Sequence, residues 1–145
     1  MRFLLFDRVV EVVPGKRIHG VKSVTLTEPY LDGHFTHAPL VPGPLLVEAM
    51  IQLLAWTAIT KHDFQLSCVL SVLEDVTLPP KLRPGYAIDL HGQLMGTNPK
   101  GSIGRAWAEI DGEEIARVGR VIYGHVPHPD PEMLRKRFAY FGGPA

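Results

Sequence analysis

Apolar residues recur in two ways along this chain, and the change from one to the other predicts most of its architecture. Phe3 to Val13 is rich in Val, Leu and Phe and stops at Pro14-Gly15, a turn signal. Ile18 to Thr27 follows as a second β-like segment, and the two are expected to pair antiparallel. Between Gly33 and Pro44 no regular element fits, because Gly33, Pro39, Pro42, Gly43 and Pro44 remove donors or permit positive φ. From Leu45 to about Ile59 the chain is apolar almost all round, which predicts a buried helix. Pro44 suits the first helical position, where its missing N–H is no loss, with Gly43 at the cap.

Lys61 to Gln65 is polar and reads as the helix exit. Ser67 to Leu73 and Glu74 to Leu78 are two strand candidates, stopped by Pro79-Pro80, and residues 81–85 form a loop. Tyr86 to Met95 places Ile88, Leu90 and Leu94 on a period of two. Asn98-Pro99-Lys100-Gly101 is a turn. Ser102 to Ile110 and Glu113 to Tyr123 are joined at Asp111-Gly112, a strong hairpin signal. Past His125 the alternation is lost. Pro127, Pro129 and Pro131 begin an extended tail with a short basic helix candidate, Pro131 to Phe138. The expectation is an α+β domain over residues 1–126, an antiparallel sheet wrapped around one long central helix, with residues 127–145 as a tail. A helix of about sixteen residues spans about 24 Å, which a curved sheet can wrap. Its all-round apolarity says that something also covers the side away from the sheet, and a second subunit is one candidate.

Composition narrows the function classes. The 145 residues suit one domain with a real core, and fifteen basic residues balance fifteen acidic ones. No basic run approaches a nucleic-acid footprint. The single Cys68 excludes an internal disulfide and fits a reducing compartment, so a cytoplasmic protein is expected. Four apolar residues from Phe3 to Phe6 are too few for a secretory h-region. The Leu45–Ile59 run is short for a bilayer span and carries Glu48, which predicts no membrane partner.

Glu48 and Gln52 interrupt the apolar helix and, at i and i+4, share one face. A carboxylate on a buried helix is costly unless it is paired or stays protonated. His34 in the preceding loop can sit opposite it if the loop folds back. Taken singly, a satisfied core Glu and an ordinary loop His are the commoner outcomes. The combination with a Pro-Gly-Pro helix start, an anion site by its free N–H groups and dipole, favours an acid/base pair.

Gly33-His34-Phe35, Pro39, Pro42-Gly43, Leu45, Glu48-Ala49-Met50 and Gln52 resemble the active-site segment of the β-hydroxyacyl-acyl carrier protein dehydratases, the hot-dog-fold enzymes of fatty-acid synthesis. The fourteen-residue step from His34 to Glu48 matches that family's pattern. Further similar residues at Phe3-Leu4-Leu5-Phe6-Asp7-Arg8-Val9, Val21-Lys22-Ser23-Val24, Glu28-Pro29 and Pro84-Gly85 extend the resemblance over roughly residues 2–123. It implies a hot-dog fold and a dimer with sites at the subunit interface. It implies, too, that His34 and Glu48 are catalytic, that Phe35, Pro42, Gly43 and Gln52 line the substrate site, and that the acyl group arrives on acyl carrier protein. No metal or organic cofactor is expected, and the seven His residues show no ligand spacing. Lys81 and Arg83, with Arg117 and Arg120 on a neighbouring strand candidate, are the expected docking cations.

There are departures from the family pattern. Thr36-His37 stand where Pro-Gly is usual after His-Phe, and His37 is expected to face solvent. Pro79-Pro80 replace a basic pair, Lys81 a Pro, and Tyr86 an Asp. The family's short helix ahead of Phe-Leu-Leu is not matched, so one wall of the site is expected to be built differently. These changes leave room for polyketide or polyene assembly beside fatty-acid synthesis. Two rival classes share the fold: a hot-dog thioesterase, which does not require His34, and a non-catalytic acyl-binding homologue.

Overall fold

The computed structural model describes residues 4–142, in which the period-two segments become one six-stranded antiparallel sheet. In chain order the elements are β1 (Arg8–Val13), β2 (Arg17–Val24), a single 3₁₀ turn (Pro29–Leu31), α1 (Gly43–Lys61), β3 (Leu66–Thr77), β4 (Tyr86–Asn98), β5 (Gly101–Ile110), β6 (Glu113–Pro127) and α2 (Pro131–Tyr140). The strand order is β1-β2-β4-β5-β6-β3, so the chain leaves β2, lays α1 across the sheet, and returns at the opposite edge. The expected α+β architecture, an antiparallel sheet around one central helix, is borne out.

The helix lies close to the strands because small residues let it. A Cβ built on Gly20 of β2 would stand 2.8 Å from Leu53 Cδ1, and one on Gly92 of β4 would stand 2.9 Å from Leu54 Cδ1. Leu53 and Leu54 are fully buried there, where a Leu→Ala change costs about 2–5 kcal/mol. By length and composition α1 could cross a bilayer, but most of it is buried within this domain.

Four expectations need correction. The Phe3–Val13 segment pairs only from Arg8: Leu4 to Asp7 run without a strand partner beyond one bond from Asp7 N–H to the Val21 carbonyl, and Phe3 lies outside the described residues. The two candidates over 67–78 form one strand, β3. Its break is absorbed by a register shift between Leu70 and Val72 and by Asp75, at φ 56°, set against Gly119. The cap of α1 is Pro42, extended at φ −60° and ψ 123°, so Gly43 and Pro44 occupy the first turn. A proline is tolerated at either place, since first-turn N–H groups have no intrahelical acceptor. Finally, β6 runs past His125 to Pro127, because β3 pairs with it from Arg117 to Pro127.

The helix read over 131–138 forms and extends to Tyr140. Asp130 caps it, its side chain accepting from Met133 N–H at 3.0 Å, and Pro131 opens the first turn. Phe138 is fully buried, stacked on Trp56 of α1 with ring centroids 5.2 Å apart, and Leu134 is buried beside it. These residues therefore belong to the same core as the sheet and α1.

Candidate active site

Two turns hold the loop before α1. At its start, Lys22 is buried between Glu28 (3.3 Å) and Asp7 (3.6 Å), and Leu31 packs into the core. Gly33 takes φ 76°, a conformation that suits glycine, and lets the chain double back into His34. Phe35 and Ala38 exchange backbone hydrogen bonds of 3.3 and 3.1 Å, which places Thr36 and His37 at an exposed turn tip. At the far end Val41 N–H donates to the Leu82 carbonyl at 2.7 Å, tying the loop to the segment before β4.

Within this frame the His34 ring is oriented twice. It stacks on Phe35, centroids 4.3 Å apart, and its Nδ1 lies 2.9 Å from the Leu40 carbonyl oxygen. A carbonyl oxygen can only accept, so Nδ1 carries a proton and, in the neutral ring, the lone pair is on Nε2. That is the tautomer a general base needs. Phe35 itself is 54 % exposed.

Glu48 sits half-buried on α1, one turn into the helix. Gln52 Nε2 donates to its Oε1 at 3.1 Å, and Gln52 Oε1 accepts from Leu5 N–H at 2.9 Å. The i, i+4 pair of the sequence thus fixes the carboxylate through the chain ahead of β1, leaving Oε2 free of hydrogen bonds among the described residues. Pro42 caps the helix and the Gly43 N–H, with no acceptor among the described residues, opens it.

His34 and Glu48 make no direct polar contact within one chain. Glu48 lines a cleft between α1 and β3 in which His34 has no part. The floor of that cleft includes Ile51, Ala55, Trp56, Cys68 and Tyr123. None of the last three was singled out in the sequence as a cleft residue; each reaches it from a separate element, a relation that no spacing carries. Burial pushes the Cys68 thiol up to about 12, so it stays protonated and unreactive. Tyr123 donates to the Ile51 carbonyl, and burial raises its phenol well above the usual range.

Lys81 and Arg83 line a second cleft with His37, Pro39 and Leu40. Arg117 and Arg120 do not join them. They pair instead with Glu114 (3.9 Å) and Glu74 (3.6 Å). Among the described residues no three His, Cys, Asp or Glu side chains are grouped to hold a metal ion.

Residues 1–118 match the model of the FabA-like domain. The chain belongs to that family. It is 39 % identical over 116 residues to the 3-hydroxyacyl-[acyl-carrier-protein] dehydratase FabZ of Caldicellulosiruptor bescii, covering 78 % of this chain and 81 % of the relative. The namesake enzyme of Thermomicrobium roseum is 31 % identical over 134 residues, 92 % of this chain and 87 % of its own. Among solved structures, smu.793 of Streptococcus mutans, bound to acetyl CoA, superposes with a TM-score of 0.66 at 12 % identity over 88 % of this chain and 93 % of that one. That likeness concerns the fold alone. The family read from the Gly33–Gln52 segment is the one that the relatives bear out.

Proposed function

We propose that this protein is a dehydratase that removes water reversibly from 3-hydroxyacyl thioesters on acyl carrier protein, giving trans-2-enoyl thioesters for fatty-acid or a related acyl-chain synthesis. What carries the reading is His34: in a member of the FabA-like family, its Nδ1 is tied to the Leu40 carbonyl and its Nε2 is bare. The chemistry needs a base for the C2 proton, an acid for the departing C3 hydroxyl, and a donor for charge gathering on the thioester oxygen. His34 Nε2 supplies the first. Glu48, oriented by Gln52, delivers a proton to the hydroxyl so that it leaves as water, and the Gly43 N–H at the positive end of α1 faces the carbonyl oxygen. Phe35 and Pro42 border that position.

Because no polar contact joins His34 to Glu48 in one chain and the Glu48 cleft does not include His34, the reading takes the protein as a homodimer in which each site draws one residue from each copy. The β3 edge suits such pairing. It is long, and Val69, Leu70 and Val76 on it are 52 %, 40 % and 43 % exposed. An acidic carrier docks beside Lys81 and Arg83, whose charges act as rim contacts. The reading takes the protein to be cytoplasmic, where Cys68 stays reduced.

Incubation of the pure protein with trans-2-enoyl and 3-hydroxyacyl thioesters tests this. Gain and loss of the double bond without added metal is the expected result. Release of free thiol with the double bond untouched would establish the thioesterase instead, and binding without either reaction would establish the acyl-binding homologue.

A further inference from the structure

We infer that α2 sets the longest acyl chain this protein accepts, Leu134 and Arg137 forming the end wall of the cleft that begins at Glu48. The inference rests on the dehydratase reading above, since it takes the cleft to hold the acyl chain. Glu48, Gln52, Ala55 and Ile59 all line the cleft, and from the first to the last the helix axis advances about 16 Å. An acyl chain anchored by its thioester at the start of α1 would therefore run along this face, past Glu48 and Gln52 to the apolar Ala55 and Ile59, toward the C-terminal half of the helix. There it meets α2, which contributes Leu134 and Arg137 to the lining.

This wall is held firmly. Phe138 stacks on Trp56 and packs against Phe64 at 6.0 Å, and Arg135 bonds Asp63 at 3.0 Å while lying 4.7 Å over the Phe64 ring. Close-packed interiors resist displacement, so a longer chain cannot push α2 aside cheaply. The charge on the wall adds a second barrier. Arg137 is exposed and makes no ion pair among the described residues, whereas Arg135 on the same helix has two carboxylate partners. A chain long enough to pass Leu134 would cover the Arg137 guanidinium with hydrocarbon and strip its water, which is costly for an unpaired charge. Residues 131–140 lie beyond the stretch that matches the FabA-like domain.

The test uses the full chain with short, medium and long acyl thioesters, comparing wild type with Leu134→Ala and Arg137→Gln. Two readouts are taken: the ratio of kcat/KM for long against short enoyl substrates, and binding of unreactive saturated thioesters followed by the fluorescence of Trp56 in the cleft. Each variant should raise the long-to-short ratio about tenfold, the low end of what a pocket discriminates for one methylene, and should shift binding toward longer chains. Leu134→Met, which conserves volume, should keep the wild-type profile and reports on folding. Unchanged length profiles in Leu134→Ala and Arg137→Gln, in either readout, would overturn the role of α2. A shifted binding profile in a protein with no turnover on any chain would overturn the dehydratase reading and leave the end wall standing.

Discussion

The two ends of α1 are built on opposite principles. At its N-terminal end the chain is irregular from residue 25 to 42 apart from one 3₁₀ turn, and Phe35, Thr36 and His37 are exposed. Among the described residues three polar groups there lack a hydrogen-bond partner: His34 Nε2, the Gly43 N–H and one oxygen of Glu48. At the C-terminal end most of the comparable groups find partners inside the protein, the buried Thr57 Oγ1 being an exception. His62 follows the helix and bonds Thr97, Phe64 is buried under Phe138 and Arg135, and α2 closes over Trp56. One helix thus carries reactivity at the end whose unused hydrogen-bonding groups include the candidate acid and base, and stability at the end closed by packed rings.

The largest expected effects fall at the open end. His34→Ala and Glu48→Gln should each lower turnover by about a hundredfold or more with the fold intact, as for loss of a general base or acid. Equimolar mixtures of the two, refolded together, should recover about a quarter of wild-type activity, because half of the dimers then carry one complete site. A mixture as inactive as its parts would show that no site is shared between copies. Near wild-type rates in either single variant would remove that residue from the chemistry.

At the closed end the effect should be on stability. Phe138 is fully buried between Trp56 and Phe64, so Phe138→Ala should cost about 3–5 kcal/mol. Denaturant titration measures it, and a loss well under 1 kcal/mol would mean that α2 is docked by its exposed ion pairs and not by the ring.

Legibility in the sequence follows the same division, with physical reasons. Local signals were read correctly where one short segment decides the outcome. Asp111-Gly112 turns with both φ angles positive, at 51° and 80°, as its hairpin requires. Glu48 and Gln52 meet because i and i+4 face each other on any helix. The apolar run ahead of Arg8 was misread as strand, since hydrophobicity reports burial, and Leu5 and Phe6 are buried without ladder partners. The lock on His34 uses the backbone oxygen of Leu40, a group every residue has, so no side-chain pattern announces it. The burial of α2 was equally hidden: a Pro-rich, basic tail shows only two core residues, Leu134 and Phe138, too few to set a period. The His62–His125 link spans four elements and leaves no trace in spacing.

That link yields the smallest and most specific expectation. His62 Nε2 lies 2.9 Å from Thr97 Oγ1, Thr97 Oγ1 is 2.7 Å from Ser102 Oγ, and Ser102 Oγ is 2.8 Å from His125 Nε2. Three hydrogen bonds share two hydroxyl protons, so one imidazole must donate from Nε2 and the other must accept. A proton added to both rings would leave two donors facing each other through the chain, with the ring centroids only 5.4 Å apart. Both pKa values are held below the ordinary value: His62 by burial and then by Lys61, His125 by burial and then by His62, against the opposing pull of the Asn98 and Pro99 carbonyls. The unfolded chain, titrating near 6.5, therefore binds protons before the folded one as pH falls. Stability from this network is present above about pH 6.5 and is lost as pH drops through the lowered folded values. Thermal melts between about pH 7 and 5 should accordingly show a steeper fall for wild type than for a His62→Gln, His125→Gln double variant, in which two amides keep hydrogen-bonding capacity without titrating. His91, also held low by burial and the stacked His19, titrates alike in both proteins and cancels from the comparison. Equal slopes would show that the paired imidazoles at the closed end carry no proton-linked stability.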